Sequence, residues 1–168
     1  MTSIRTFLKI VAFCFAVTTL AQSEDIGDEK ELRSGYYYSR QDTRDIQDDT
    51  FANPGFIYVQ RGEHLWTKVE GKQHNSCADC HSNARFSMSG VGATYPKINN
   101  TTNKLINLGQ RIQMCRTRHM SAAKYTVPDH EQENADLLSL EAYIMMQSNG
   151  MPLNVDVTGT AATYFKLG

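Results

Sequence analysis

The chain has almost no net charge: 17 Lys and Arg stand against 18 Asp and Glu, giving −1 at pH 7. A surface so near neutrality excludes the strongly basic face that nucleic acid or an anionic membrane would select. Long apolar runs are scarce too. The run at residues 10–20 is too short to cross a bilayer comfortably. No internal repeat and no low-complexity tract interrupts the sequence. Cysteine is sparse, with four residues at positions 14, 77, 80 and 115. No βαβ pattern flanks the Cys77/Cys80 pair, which disfavours a thioredoxin-like redox motif. No second Cys/His pair lies at a spacing suited to zinc.

What is present begins at the N-terminus. The segment before residue 10 carries Arg5 and Lys9 and no acid. The apolar run follows, then small residues at Ala21 and Ser23, then acidic Glu24 and Asp25. This is the layout of a secretory signal spanning residues 1–23, cut after Ala21 or Ser23. Cys14 lies inside the run, so a lipoprotein cleavage is not indicated. Removal takes away Arg5 and Lys9, leaving 15 basic against 18 acidic residues and moving the charge from −1 to −3. The expected compartment is a periplasm, with no membrane span after signal removal.

The richest stretch is Ser76-Cys77-Ala78-Asp79-Cys80-His81. It reads C-x-x-C-H, the attachment pattern for a c-type haem. Cys77 and Cys80 fall on one side of a helical turn, so both thiols can form thioethers to the two vinyl groups of one porphyrin. His81 then lies under the ring, where an imidazole nitrogen can bind iron. No second C-x-x-C-H occurs, so one haem is expected. Cys115 is left without a partner in an oxidising compartment, where a lone thiol is open to oxidation.

Around this motif the pattern is helical. Asn53 and Pro54 suit the start of a helix running to about Lys68, with Phe56, Val59, Leu65 and Trp66 on it. Gly62 is placed to let two helices cross closely. His64 and His74 read as solvated. Tyr36, Tyr37 and Tyr38 are expected to pack an N-terminal arm onto the domain. Glycines around Met88 and the Tyr95-Pro96 pair mark a loop at the haem edge. Leu105, Ile106, Leu108, Ile112 and Cys115 recur at helical spacing. Asp129, with Gln132 after it, can cap a last helix carrying Leu137 to Met146 and closed by Gly150-Met151-Pro152. The expected fold is all-α. The sixth iron ligand stays open at this point. Met88, Met114 and Met120 are candidates because a thioether is the commonest choice. Cys115 competes because Arg111 and Arg116 flank it and cations stabilise a thiolate.

The chain resembles the SoxA family, cytochrome subunits of a periplasmic sulfur-oxidation system. The matching residues are Arg33-Ser34-Gly35-Tyr36, Asp48-Asp49-Thr50-Phe51-Ala52-Asn53-Pro54-Gly55, Gly62-Glu63-His64-Leu65-Trp66, the C-x-x-C-H itself, Met88 with Gly90-Val91, Tyr95-Pro96, Ile106-Asn107-Leu108, Gln110-Arg111-Ile112, Cys115-Arg116-Thr117 and Gly150-Met151-Pro152. They run in order over about 120 residues. The resemblance implies a cytochrome c-like domain with covalently bound haem over residues 24–152. Cys77 and Cys80 would carry the haem, with His81 and Cys115 as axial ligands. It implies a SoxX-like cytochrome as partner. Together they would form an L-cysteine S-thiosulfotransferase that couples thiosulfate oxidatively to a cysteine of the carrier SoxYZ and passes electrons to an accepting cytochrome. Members have a second cytochrome c-like domain that holds the proposed catalytic cysteine. Residues 153–168 read as a linker toward it, so no catalytic residue is assigned here. The alternative is an independent monohaem carrier with His/Met ligation.

Overall fold

The computed structural model describes residues 33–125 and 135–167. All belong to one unit, Glu31–Gly168. The signal segment and the Asp129/Gln132 cap lie outside the described residues.

Two short helices come first, α1 (Gly35–Tyr38) and α2 (Gln41–Asp48), clasped by the Tyr36 hydroxyl donating to Asp48 at 2.6 Å. Tyr36 and Tyr37 line a groove with Phe56, Val59 and Met146, while Tyr38 stays 74% exposed. The three tyrosines thus meet the domain only in part. Next is α3 (Phe56–Thr67), which starts later than the sequence suggests. Asn53 does not cap it. Its Oδ1 accepts from the Gly55 amide at 2.8 Å, a local turn that delivers the chain into the helix.

The attachment motif forms its own helix, α4 (Cys77–His81). Ser76 and Asp79 close a reciprocal capping box on its first turn: each side chain accepts from the other's backbone amide. Ser82, at φ 56°, ends the helix. A four-residue helix, α5 (Ala84–Ser87), and a turn lead to a two-stranded hairpin, β1 (Lys97–Asn99) and β2 (Lys104–Ile106), with Ile98 opposite Leu105. Here the periodic reading is corrected: Leu105 and Ile106 lie in a strand. Asn99 Oδ1 accepts from the Thr101 and Thr102 amides and folds the intervening turn, so the chain doubles back before it can coil.

The helix carrying Cys115 is α6 (Leu108–Cys115). It starts one residue after Asn107, which forms a second capping box with Gln110. It runs into a π-helical turn, Arg116–Met120, a distortion frequent at functional sites. Then come α7 (Ala135–Met146) and α8 (Ala161–Leu167). Helix α7 ends at Met146, with Gly150 (φ 74°) in the trailing turn, and the stretch that follows residue 153 contains the short helix α8.

Helices α3 and α7 form the main crossing. A Cβ on Gly62 would sit 2.0 Å from the Ser139 carbonyl oxygen and 2.6 Å from Tyr143 Cβ. Bare glycine is what lets the backbones touch. Around that crossing Leu65, Trp66, Leu108, Ile112, Leu140, Tyr143 and Ile144 make the core. Their i, i+3, i+4 spacing on α7 gives the buried stripe. The Trp66 indole N–H donates to the Ser82 carbonyl at 2.9 Å, tying α3 to the end of α4.

Candidate functional site

A cavity of about 550 Å³ opens between α4, α6 and the core. Cys77, Cys80 and His81 line it from α4, and Met114 and Cys115 from the end of α6. Leu108, Ile112, Leu140, Ile144 and Trp66 supply an apolar interior. The Trp66 ring lies 5.9 Å from the His81 ring, tilted by 41°. Met88, Val91 and Tyr95 come from the loop after α5. The three methionines weighed as ligands (Met88, Met114 and Met120) thus reach the same space as Cys115. His64 and His74 do not line it; both are exposed.

Charge around the cavity differs from what adjacency in sequence suggests. Arg116 turns away from Cys115 into a buried cluster. Its guanidinium pairs with Glu70, donates to the Tyr125 hydroxyl at 2.8 Å and lies 3.5 Å over the Tyr125 ring. Burial pushes the Cys115 thiol up, the nearby Cys80 adds to that, and Arg111 opposes them without prevailing. The expectation that both arginines hold Cys115 as a thiolate is therefore corrected: Arg111 alone acts on it, and desolvation wins in the free thiol. Cys77 is pushed up to about 11, chiefly by burial and next by Cys115. The same influences show that Cys115 lies within electrostatic reach of both attachment cysteines.

Glu70 was not singled out from sequence, because its partner lies 46 positions away. Burial raises its pKa, but hydrogen bonds from Arg116, Lys68 and Tyr125 outweigh burial and hold it below the ordinary 4.5. A depressed carboxylate stabilises the fold fully above its unfolded value, and that contribution fades as pH falls through the folded value. Stability from this cluster should thus be lost below about pH 4.5. Glu70→Gln should cost about 3 kcal/mol at pH 7, because Arg116 is left buried without a counter-charge. It should also flatten the acid limb of a Tm-versus-pH curve. A limb unchanged in the variant would show that other carboxylates carry it.

The donor set suits a covalently attached haem. Two thiols and an imidazole project from one five-residue helix into an apolar cavity that a further thiol reaches from another helix. Cys77, Cys80 and Cys115 form no disulfide among the described residues. A family model, SoxA/TsdA cytochrome c domain, matches residues 61–153. The chain belongs to this SoxA/TsdA family. It therefore has the cytochrome c-type, predominantly helical fold, and the family implies haem c as cofactor. Its relatives include the "L-cysteine S-thiosulfotransferase subunit SoxA" of Pseudaminobacter salicylatoxidans, 38% identical over 74% of this chain and 42% of the relative. The SoxA subunit of Paracoccus pantotrophus is 36% identical over 82% of this chain and 45% of the relative. The crystal structure of SoxXA from P. pantotrophus superposes with a TM-score of 0.67 at 32% identity, covering 80% of this chain and 49% of that one. The chain spans less than half the length of the curated SoxA relatives it matches. Among the described residues no helix is long and apolar enough to cross a membrane.

Proposed function

We propose that this chain is the N-terminal haem c domain of a SoxA-type subunit, exported to the periplasm through a signal at residues 1–23. In this reading residues 24–152 form the haem domain and 153–168 lead toward a second domain. Cys77 and Cys80 would attach a single haem, and His81 and Cys115 would be the residues that ligate its iron. The subunit pairs with a SoxX-like cytochrome. The complex couples thiosulfate oxidatively to a cysteine of a SoxYZ-type carrier and passes the electrons to an accepting cytochrome. This domain's share is electron transfer and support, and no residue in it is assigned the sulfur-transfer step.

One observation carries the reading: His81 on α4 and Cys115 at the end of α6 line the same apolar cavity as the two attachment thiols. Haem bound there supplies a one-electron iron couple, which a thiolate ligand poises low. The chain's own residues do the rest. The Ser76/Asp79 box sets the turn that presents Cys77 and Cys80, Trp66 packs beside His81, and the core side chains keep water from the ring.

The test is electron paramagnetic resonance on ferric protein matured with the haem attachment machinery. Wild type should give a low-spin thiolate signature, and Cys115→Ala should lose it. A spectrum unchanged by Cys115→Ala would shift the assignment to a methionine. Met88, Met114 and Met120 all line the cavity, so the independent His/Met carrier is the reading that result would favour.

A further inference from the structure

Met114 is the residue before Cys115 on α6, and both line the cavity. Two neighbouring sulfurs therefore stand at the same wall. One of them is tethered. Asn99, at the end of β1, is not among the residues that line the cavity. Its Nδ2 nevertheless donates to the Met114 Sδ at 3.5 Å, tying a cavity-wall thioether to the hairpin. Asn99 is only 7% exposed, and away from water an amide N–H gives up its partner at a cost.

The direction of that amide is fixed from its other end. Asn99 Oδ1 accepts from the Thr101 amide at 2.9 Å and the Thr102 amide at 3.3 Å. Only an oxygen can take those bonds, so the NH2 group must be the end that faces the sulfur. Pairing of Asn99 with Lys104 in the hairpin holds the backbone beneath it. A fixed donor thus meets an unbranched, adaptable side chain, and the sulfur rests where the amide keeps it. A thioether binds iron through a sulfur lone pair, and a hydrogen bond to that sulfur draws on the same electrons.

We propose that Asn99 is a positioning residue that keeps Met114 off the iron and leaves the sixth position to Cys115. This rests on the ligation reading given above. A thioether ligand raises an iron potential whereas a thiolate lowers it, so a Met114 free to bind would undo the low poise that Cys115 sets.

The experiment takes the full chain, matured with haem and oxidised, and reads two signals. One is the low-spin thiolate resonance. The other is the charge-transfer absorption that a thioether gives on ferric iron. Cys115→Ala should lose the resonance and gain no such band, because Asn99 still holds Met114. Cys115→Ala combined with Asn99→Asp should gain the band. Aspartate keeps an oxygen for the Thr101 and Thr102 amides and removes the donor that faces Met114. Adding Met114→Leu should abolish the band again. A merely structural role for Asn99 would produce no new band at all. The proposal is overturned by a band as strong in Cys115→Ala as in the double variant, by no band in the double variant, or by one that survives Met114→Leu. Should the double variant fail to accumulate, Cys115→Ala with Asn99→Ser takes its place under the same criteria, since serine still offers an oxygen to the turn. Wild type without the thiolate resonance, or with a resonance that Cys115→Ala leaves unchanged, would instead sink the ligation reading itself and this proposal with it.

Discussion

Double replacement of Cys77 and Cys80 by alanine is expected to abolish covalent haem, taking the chain from fully haem-loaded to colourless. The two thiols line the cavity from one turn of α4, three residues apart, and no other two cysteines among the described residues share a helical turn. Cys115 cannot substitute, because it enters from α6. Mass spectrometry after co-expression with the attachment machinery reads the outcome directly: wild type should exceed its polypeptide mass by one haem, and the double variant should match the bare chain. Haem mass persisting in the double variant would show attachment elsewhere. The turn's own stability is a smaller matter. Ser76→Ala should cost about 1 kcal/mol as a lost cap, with haem still attached.

Gly62→Leu should be among the most damaging single changes away from the cavity. Even the first carbon would be 2.0 Å from a backbone oxygen of α7, and backbone cannot swing aside as a side chain can. Helices α3 and α7 would have to part, loosening Leu65, Trp66, Leu140 and Tyr143 together. A cost of about 3 kcal/mol, the upper end for overpacking, is expected. For a domain of this size that is a fall in Tm of roughly 10 °C. Gly35→Ala is the control, since nothing lies within 4 Å of a Cβ there. Equal melting of wild type and Gly62→Leu would mean the two helices do not cross at this glycine.

Several features could be read before any folding. The helix through Leu65 and Trp66, the close approach at Gly62 and the buried face of α7 all follow from local spacing and residue size. The capping boxes are legible as Ser76-x-x-Asp79 and Asn107-x-x-Gln110, because each needs only two side chains three residues apart. The hairpin was not legible, because Leu105 and Ile106 fit a helical period as well as a strand. What settles it is the turn that Asn99 builds, together with pairing to Lys97 and Ile98.

Sequence spacing was sufficient to put two thiols and an imidazole on one short helix, because a helical turn is a property of neighbours. It was also sufficient to single out Cys115 as a sulfur without a mate. Folding alone brought that sulfur to the cavity those neighbours line and sent Arg116 to Glu70. Electrostatic partners are chosen by distance in space, and in a packed chain residues dozens of positions apart become nearer than residues side by side.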